Sequence, residues 1–413
     1  MAANASVQTP IVIGSPAFMA NPAGSYAWLR KNLPVGQVDL DFGAFTAQFW
    51  VLSRYEDCRS LLSDSRLKRS PQNLSGGGIP PDLDDISLVT TATLDMQDDD
   101  AHRRLRSLVT VPFTPARIEK LCTQVSTLTV SQLDFLAAKG GPFDLRSEFA
   151  LPITLAVIAG MLGLPETQRS RFQEGVTALL SGFSGSPQQW QQRVADLVDL
   201  TRGLVAHKRT HFGDDIVTDL IRAEECGDRL KDHELVAMVF SLLTAGYETT
   251  YNLITNSAAA LLMHRDQLGD LLTTPEDGNL WRSTLDEVGR YMPPISGTRP
   301  LTTVEAIEVN GVVIPSGQKV MPLLAAANRD PDIFADPDVF DIRRKPNHHL
   351  GFGHGAHFCL GANLAKMETR VALKVLFDRY PNLDFAVDSS ELILEPIPLW
   401  TRFRDLPVNL EGS

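Results

Sequence analysis

The chain has 413 residues, of which 43% are hydrophobic and 21% charged, and a formal net charge of −12. That size and composition leave room for a large buried core and argue against disorder except at the ends. The acidic balance argues against nucleic-acid binding, and the scattered Cys58, Cys122, Cys226 and Cys359 argue against a disulfide framework or a cysteine-rich zinc module and for a reducing cytoplasm.

In chain order, the start lacks both a basic n-region and a long apolar run, so no signal peptide or membrane anchor is expected. Residues 48–52 (QFWVL) read as a short strand. Residues 70–100, rich in Ser, Pro, Gly and Asp, read as a long, partly mobile loop. Three aspartates then precede HRRLRSLV, which suits the positive end of a helix. Residues 151–164, 169–180 and 189–207 read as further helices. Residues 279–291 form another, ended by Pro293. Asn310-Gly311 between β-branched residues within 307–321 signals a hairpin. A Pro/Asp/Asn-rich segment follows over 328–349, and residues 360–376 read as a helix. No linker divides the chain, so residues 1–413 are expected to form one mainly helical domain with a minor β region.

Two segments carry the chemistry. Residues 235–263 contain a single charged side chain, Glu248. As one helix they would span about 44 Å. Apolar residues on every side predict burial through the centre of the protein. A membrane span is disfavoured, because a central acid alone costs roughly 2.5–3.5 kcal/mol there. Glu248 reads either as a hydrogen-bonded core carboxyl or as part of a proton relay. Gly246 weakens the helix, and the Thr249 hydroxyl can bend its hydrogen-bond ladder.

The second segment is HLGFGHGAHFCLG over 349–361, a glycine-rich loop that ends on Cys359 and passes into a helix. Glycines let the backbone approach a neighbour closely or take positive φ. A helix N-terminus favours a thiolate. Cys359 could equally be a buried core cysteine. It could also bind zinc with His349, His354 and His357, at spacings that match no common site. Gly351, Gly353 and Ala356 match GxGxxA, a weak dinucleotide signal without a preceding strand.

The run from Phe352 through Gly353, Gly355, His357 and Cys359 to Gly361 resembles the haem-binding signature of the cytochrome P-450 family in its bacterial form. Ala245-Gly246-Tyr247-Glu248-Thr249-Thr250 resembles that family's oxygen-activation motif, with Tyr247 where a smaller or imidazole side chain is usual. The motifs occur in the family's order from about Pro22 to Val408.

The resemblance implies a triangular, mostly helical prism with haem b between the long central helix and the cysteine-loop helix. Cys359 would be the axial ligand, with Phe352 and Gly353 on the proximal side, and Gly361 letting the next helix pass close to the porphyrin. His102, Arg106, Arg299, His349 and His357 would contact the propionates, and Ala245 and Gly246 would lie along the haem. Glu248 and Thr249 would guide protons to dioxygen. Glu287 and Arg290 would form a buried pair joined by Arg344, with Arg343 a substitute. Arg103 and Arg104 would face an electron donor or simply solvent. The substrate pocket would include Ser241, Ala245, Pro294, Ile295 and Ser296, with Gly182 and Ser184 nearby.

The implied activity is insertion of one oxygen atom from O2 into a large apolar substrate, by hydroxylation or epoxidation. Electrons would come from NAD(P)H through a separate ferredoxin and ferredoxin reductase. The substrate would be a secondary metabolite, steroid, terpenoid, macrolide or fatty acid. The enzyme would be a cytoplasmic monomer without nucleic-acid or membrane partners. The alternatives are a haem-thiolate peroxygenase or isomerase, and a non-catalytic haem sensor.

Overall fold

A computed structural model describes residues 11–43, 45–69, 85–110, 113–180, 187–225, 230–274 and 278–410. The chain opens with β1 (Val12–Ile13), α1 (Pro16–Ala20), α2 (Pro22–Asn32), β2 (Val35–Asp41), β3 (Thr46–Leu52), α3 (Tyr55–Leu61) and β4 (Leu67–Lys68). A helical stretch follows: α4 (Asp85–Thr91), α5 (Asp99–Thr110) and α6 (Pro115–Lys139). Beyond β5 (Phe143–Asp144) come α7 (Leu151–Met161), α8 (Glu166–Leu180), α9 (Pro187–Thr210), α10 (Ile216–Glu225), α11 (Asp232–Met263), α12 (Arg265–Thr273) and α13 (Gly278–Tyr291). Then come β6 (Leu301–Thr303), β7 (Ile307–Val309), β8 (Val312–Ile314), β9 (Lys319–Pro322) and α14 (Leu324–Ala327). The chain closes with α15 (Ala362–Arg379), β10 (Asp384–Phe385) and β11 (Pro407–Asn409).

Two compact units emerge, each assembled from three stretches of chain. One comprises Met1–Lys68, Asn256–Cys359 and Glu391–Arg404, and the other comprises Arg69–Thr255, Leu360–Ser390 and Asp405–Ser413.

The first unit holds a six-stranded sheet in the order β1-β2-β3-β9-β6-β4. β2 and β3 form an antiparallel hairpin, and β3 pairs in parallel with β9. Side chains alternate between the faces of a strand. Leu52 and Val320 accordingly join a core with Tyr55, Cys58, Leu301 and Phe334, while Val51 and Met321 join another with Ile13, Leu29 and Leu40. β7 and β8 form the expected hairpin. Asn310 and Gly311 both take positive φ, at 52° and 78°, as a type I′ turn requires.

The second unit is predominantly helical, with α6 against α15 and α8 against α9. A three-stranded sheet, β10-β11-β5, leads into a π-helical turn over Leu145–Ala150 that continues directly as α7. The predicted helices over 151–164, 169–180 and 189–207 correspond to α7, α8 and α9.

The loop expected over 70–100 is corrected in part. Asp85–Thr91 is α4, and Leu94–Met96 forms a 3₁₀ turn whose amide and carbonyl groups pair locally. Residues 70–84, Gly182, Ser184 and Cys226 lie outside the described residues. Among the described residues no single helix is long and apolar enough to cross a membrane.

Candidate active site

The cysteine loop is braced from below by a fully buried ion pair. On α13, Arg290 binds Glu287 through two bonds of 2.8 Å, and neither side chain is exposed to solvent. Its remaining donors reach the carbonyls of Asn328, Pro337 and Val339 at 3.1, 2.7 and 2.9 Å, so all five guanidinium N–H groups are used. Arg344 adds a second cation, with its Nε 3.2 Å from each Glu287 oxygen. The Asp341 amide and the Asn347 side chain also donate to that carboxylate. Arg343, the weighed substitute, turns outward to Asp270 at 3.2 Å. A buried charge pair survives only when its hydrogen-bonding capacity is met in this way.

Asn328 carries this bracing into the loop. Its Nδ2 donates to the Gly289 carbonyl, and its Oδ1 accepts the Leu350 amide at 2.7 Å. Tyr55 adds a second anchor through a hydrogen bond to the His348 carbonyl.

The loop glycines have different reasons to be glycine. A Cβ on Gly351 would fall 2.2 Å from the Gly289 carbonyl oxygen. Gly353 and Gly355 take φ of 75° and 71°, and a Cβ on Gly355 would also meet Ser63 Oγ at 2.8 Å. The resulting turn is closed by the Gly353 amide on the Leu350 carbonyl and the Cys359 amide on the Phe352 carbonyl, at 2.8 and 2.9 Å.

Cys359 ends this turn with its side chain exposed, whereas Cys58 is buried and Cys122 is half-buried. Burial pushes the thiols of Cys58 and Cys122 up, which keeps both protonated. α15 starts at Ala362 with Gly361 as its N-cap, so the helix begins three residues after the cysteine and not at once. Among the described residues, nothing beyond its own chain neighbours lies within 4 Å of a Cβ built on Gly361. The donor set is therefore one exposed cysteine at the end of a glycine turn, with open space at Gly361 two residues on, which fits a planar haem ligated through a single thiolate.

The other readings of this loop lapse. Among the described residues no three His, Cys, Asp or Glu side chains gather as a metal cluster, which removes the zinc site. Gly351 is preceded by extended chain outside any strand, so there is no dinucleotide-binding βαβ unit.

His349 is placed differently from its expected propionate role. Its ring packs over Gly289, its Nδ1 accepts the Gly351 amide at 3.1 Å, and its Nε2 lies 3.6 Å from Asp286. The Phe352 ring makes tilted contacts with the rings of His349 and Phe358, and His357 ends a short 3₁₀ turn, half-buried.

The long helix α11 belongs to the second unit as far as Thr255. From Thr250 to Leu262, α11 is buried without interruption, but in its middle Ala245 is exposed and Ser241 and Thr249 are half-buried. Their i, i+4, i+8 spacing places all three on one face of the helix. The Thr249 hydroxyl donates to the Ala245 carbonyl at 2.7 Å. A Cβ on Gly246 would stand 3.0 Å from Ile158 of α7, so the glycine seats the two helices together. Glu248 is 1% exposed, and Tyr251, one turn on, donates to its Oε1 at 3.2 Å. Tyr247 is also buried, edge-on to Phe172 and Tyr251.

On α5, His102 is buried and Arg106 half-buried on the same face. Burial lowers the His102 pKa, and the charges of Arg106 and Arg69 lower it further against the pull of Asp98. Arg103 and Arg104 are exposed and paired with Asp100 and Glu234.

In the first unit, Arg299 is exposed. Ile295 bridges to Trp400 and is half-buried, while Pro294 and Ser296 are buried. The Ser296 hydroxyl bonds the Tyr26 phenol, which turns it into the core.

Sequence reasoning missed Asn328, Asn347 and the Tyr251–Glu248 contact. Only the last had a signal, since three residues on a helix share a face.

Comparison with known proteins agrees with this geometry. A family model described as cytochrome P450 matches residues 279–392, from α13 through the cysteine loop and past β10. Cytochrome P-450 107B1 of Saccharopolyspora erythraea is 37% identical over 404 residues, 95% of this chain and 96% of that one. The cytochrome P-450 monooxygenase PikC of Streptomyces venezuelae is 36% identical over 393 residues, 95% and 91% of the two chains. The solved structure of PksS, the cytochrome P-450 of the bacillaene polyketide synthase of Bacillus subtilis 168, superimposes with a TM-score of 0.87 at 31% identity. It covers 97% of this chain and 99% of its own. On that near-complete correspondence, the chain belongs to the cytochrome P-450 family of haem-thiolate monooxygenases.

Proposed function

We propose that Cys359 is the sulfur ligand of haem b in a monooxygenase acting on a large apolar metabolite of the polyketide type. The observation that carries this reading is the exposed Cys359 on a loop locked by the buried Glu287–Arg290–Arg344 cluster. When bound, the haem supplies the reductive activation of dioxygen.

The protein's own groups have separable tasks. His102, Arg106, Arg299 and His357 hold the propionates through charge-assisted hydrogen bonds. His349, occupied with Asp286 and Gly351, serves to support the loop instead. Glu248 passes protons in a buried site, and Thr249 presents a hydroxyl beside the exposed Ala245 of α11. Ser241, Ala245 and Ile295 contact the substrate. The polyketide class is drawn from the likeness to PksS and from the small and apolar side chains at these positions. Electrons arrive from NAD(P)H through a small ferredoxin and its reductase.

Replacing Cys359 by Ala should abolish the red-shifted Soret band of the ferrous–CO form. An unchanged band would remove the ligand assignment. Spectral titration with macrolide lactones, steroids and fatty acids tests the substrate class, and tightest binding of a fatty acid or steroid would overturn the polyketide reading.

A further inference from the structure

The buried acid of α11 is held by two residues that lie outside the oxygen-activation motif. Tyr251 donates its hydroxyl to Glu248 Oε1 at 3.2 Å. Arg146 Nη2 donates to the Tyr251 oxygen at 3.3 Å, with its guanidinium 5.4 Å from the Tyr251 ring centroid. A guanidinium can only donate and a phenol has one proton. With Arg146 donating to the phenol oxygen, the phenol proton is directed to Glu248.

The local fold places Arg146 for this. Asp144 accepts the amides of Arg146 and Ser147, and Glu148 accepts the Asp144 amide in return. This reciprocal cap starts the π-helical turn. The Leu145 amide and Leu406 carbonyl, and the Leu406 amide and Asp144 carboxylate, pin the turn to the chain beside β11. Arg146 is half-buried there, between solvent and the enclosed Tyr251.

We infer that Tyr251 and Arg146 are positioning residues for Glu248: they fix its Oε1 and favour its ionised form. The inference rests on the assignment of proton handling to Glu248. Around this turn of α11, Tyr247 packs edge-on to Tyr251 and to Phe172 of α8, and Ile158 of α7 meets Gly246. No other charged residue occurs in 235–263.

The test uses the haem-loaded protein with Tyr251→Phe, Arg146→Met, the double variant, and Glu248→Gln. The infrared carboxyl band lost in Glu248→Gln is assigned to Glu248 and followed against pH. Dioxygen consumption driven by NAD(P)H is measured in H2O and D2O, a readout that needs no organic substrate. Tyr251→Phe should move the band's titration to higher pH and enlarge the solvent isotope effect. Arg146→Met should do the same to a lesser extent. The double variant should match Tyr251→Phe, because Arg146 acts through the phenol. A native titration in Tyr251→Phe, or additive effects in the double variant, would overturn the inference. If Glu248→Gln keeps the native isotope effect, the proton-handling assignment itself fails. If Glu248→Gln alone is impaired, only the positioning roles fail. Should Tyr251→Phe fold poorly, Arg146→Met reads the same chain from its outer end.

Discussion

At the scale of single residues, the site depends on which polar groups are buried and with what company. Cys359 was legible because no other cysteine follows a run of glycines, and the accessible sulfur separates it from Cys58 and Cys122. Glu368 on α15 was not legible, since nothing in ANLAKMETRVALKVLFDR distinguishes it from an exposed helix acid. It is 3% exposed, and burial pushes its carboxyl from the ordinary 4.5 up to about 8. A carboxyl whose folded pKa is raised takes up a proton on folding. Its contribution to stability is complete at acid pH, declines from about pH 4.5 to about pH 8, and is lost above that. Glu368→Gln should therefore raise Tm at pH 8 and leave it nearly unchanged at pH 4.5. An equal gain at both values, measured by thermal unfolding, would show that the native carboxyl is not protonated across that interval.

At the scale of elements, long periodic segments were readable and short paired ones were not. α11 declared itself by having one charge among residues 235–263, and the β7–β8 hairpin by Asn310-Gly311. α4 escaped because its seven residues sit among turn-forming neighbours. β1, β4 and β6, two or three residues each, pair with partners remote in sequence, so no local pattern marks them. The cysteine loop lies between these cases: its composition was plain, but the carbonyl that Gly351 meets belongs to α13. Because backbone cannot rotate aside as a side chain can, Gly351→Ala should cost about 1–3 kcal/mol by overpacking. A lowered Tm together with reduced haem content is the expected result, and native values for both would mean the loop is less tightly seated on α13 than the 2.2 Å approach implies.

At the scale of the whole molecule, one buried charge cluster ties distant stretches of the first unit together. Arg290 reaches carbonyls up to Val339, and Glu287 gathers Arg344 and Asn347. Removing one partner of a fully buried pair leaves the other charge uncompensated, at about 3–5 kcal/mol. Arg290→Met should accordingly give poorly haem-loaded protein with a lower unfolding midpoint, whereas Arg343→Met, which loses only an exposed contact, should behave as native. Equal loading of the two variants would reduce the buried pair to a passive contact. The parallel pairing of Trp50 with Val320 has a further consequence during synthesis. A ribosome adds roughly 5–20 residues per second, so the hydrogen-bonding edge of β3 waits on the order of tens of seconds before β9 emerges. Through that interval a nascent chain offers an open strand edge to its neighbours. Slower translation, or crowding of polysomes at high expression, should therefore favour aggregation, and chaperone supply should recover yield.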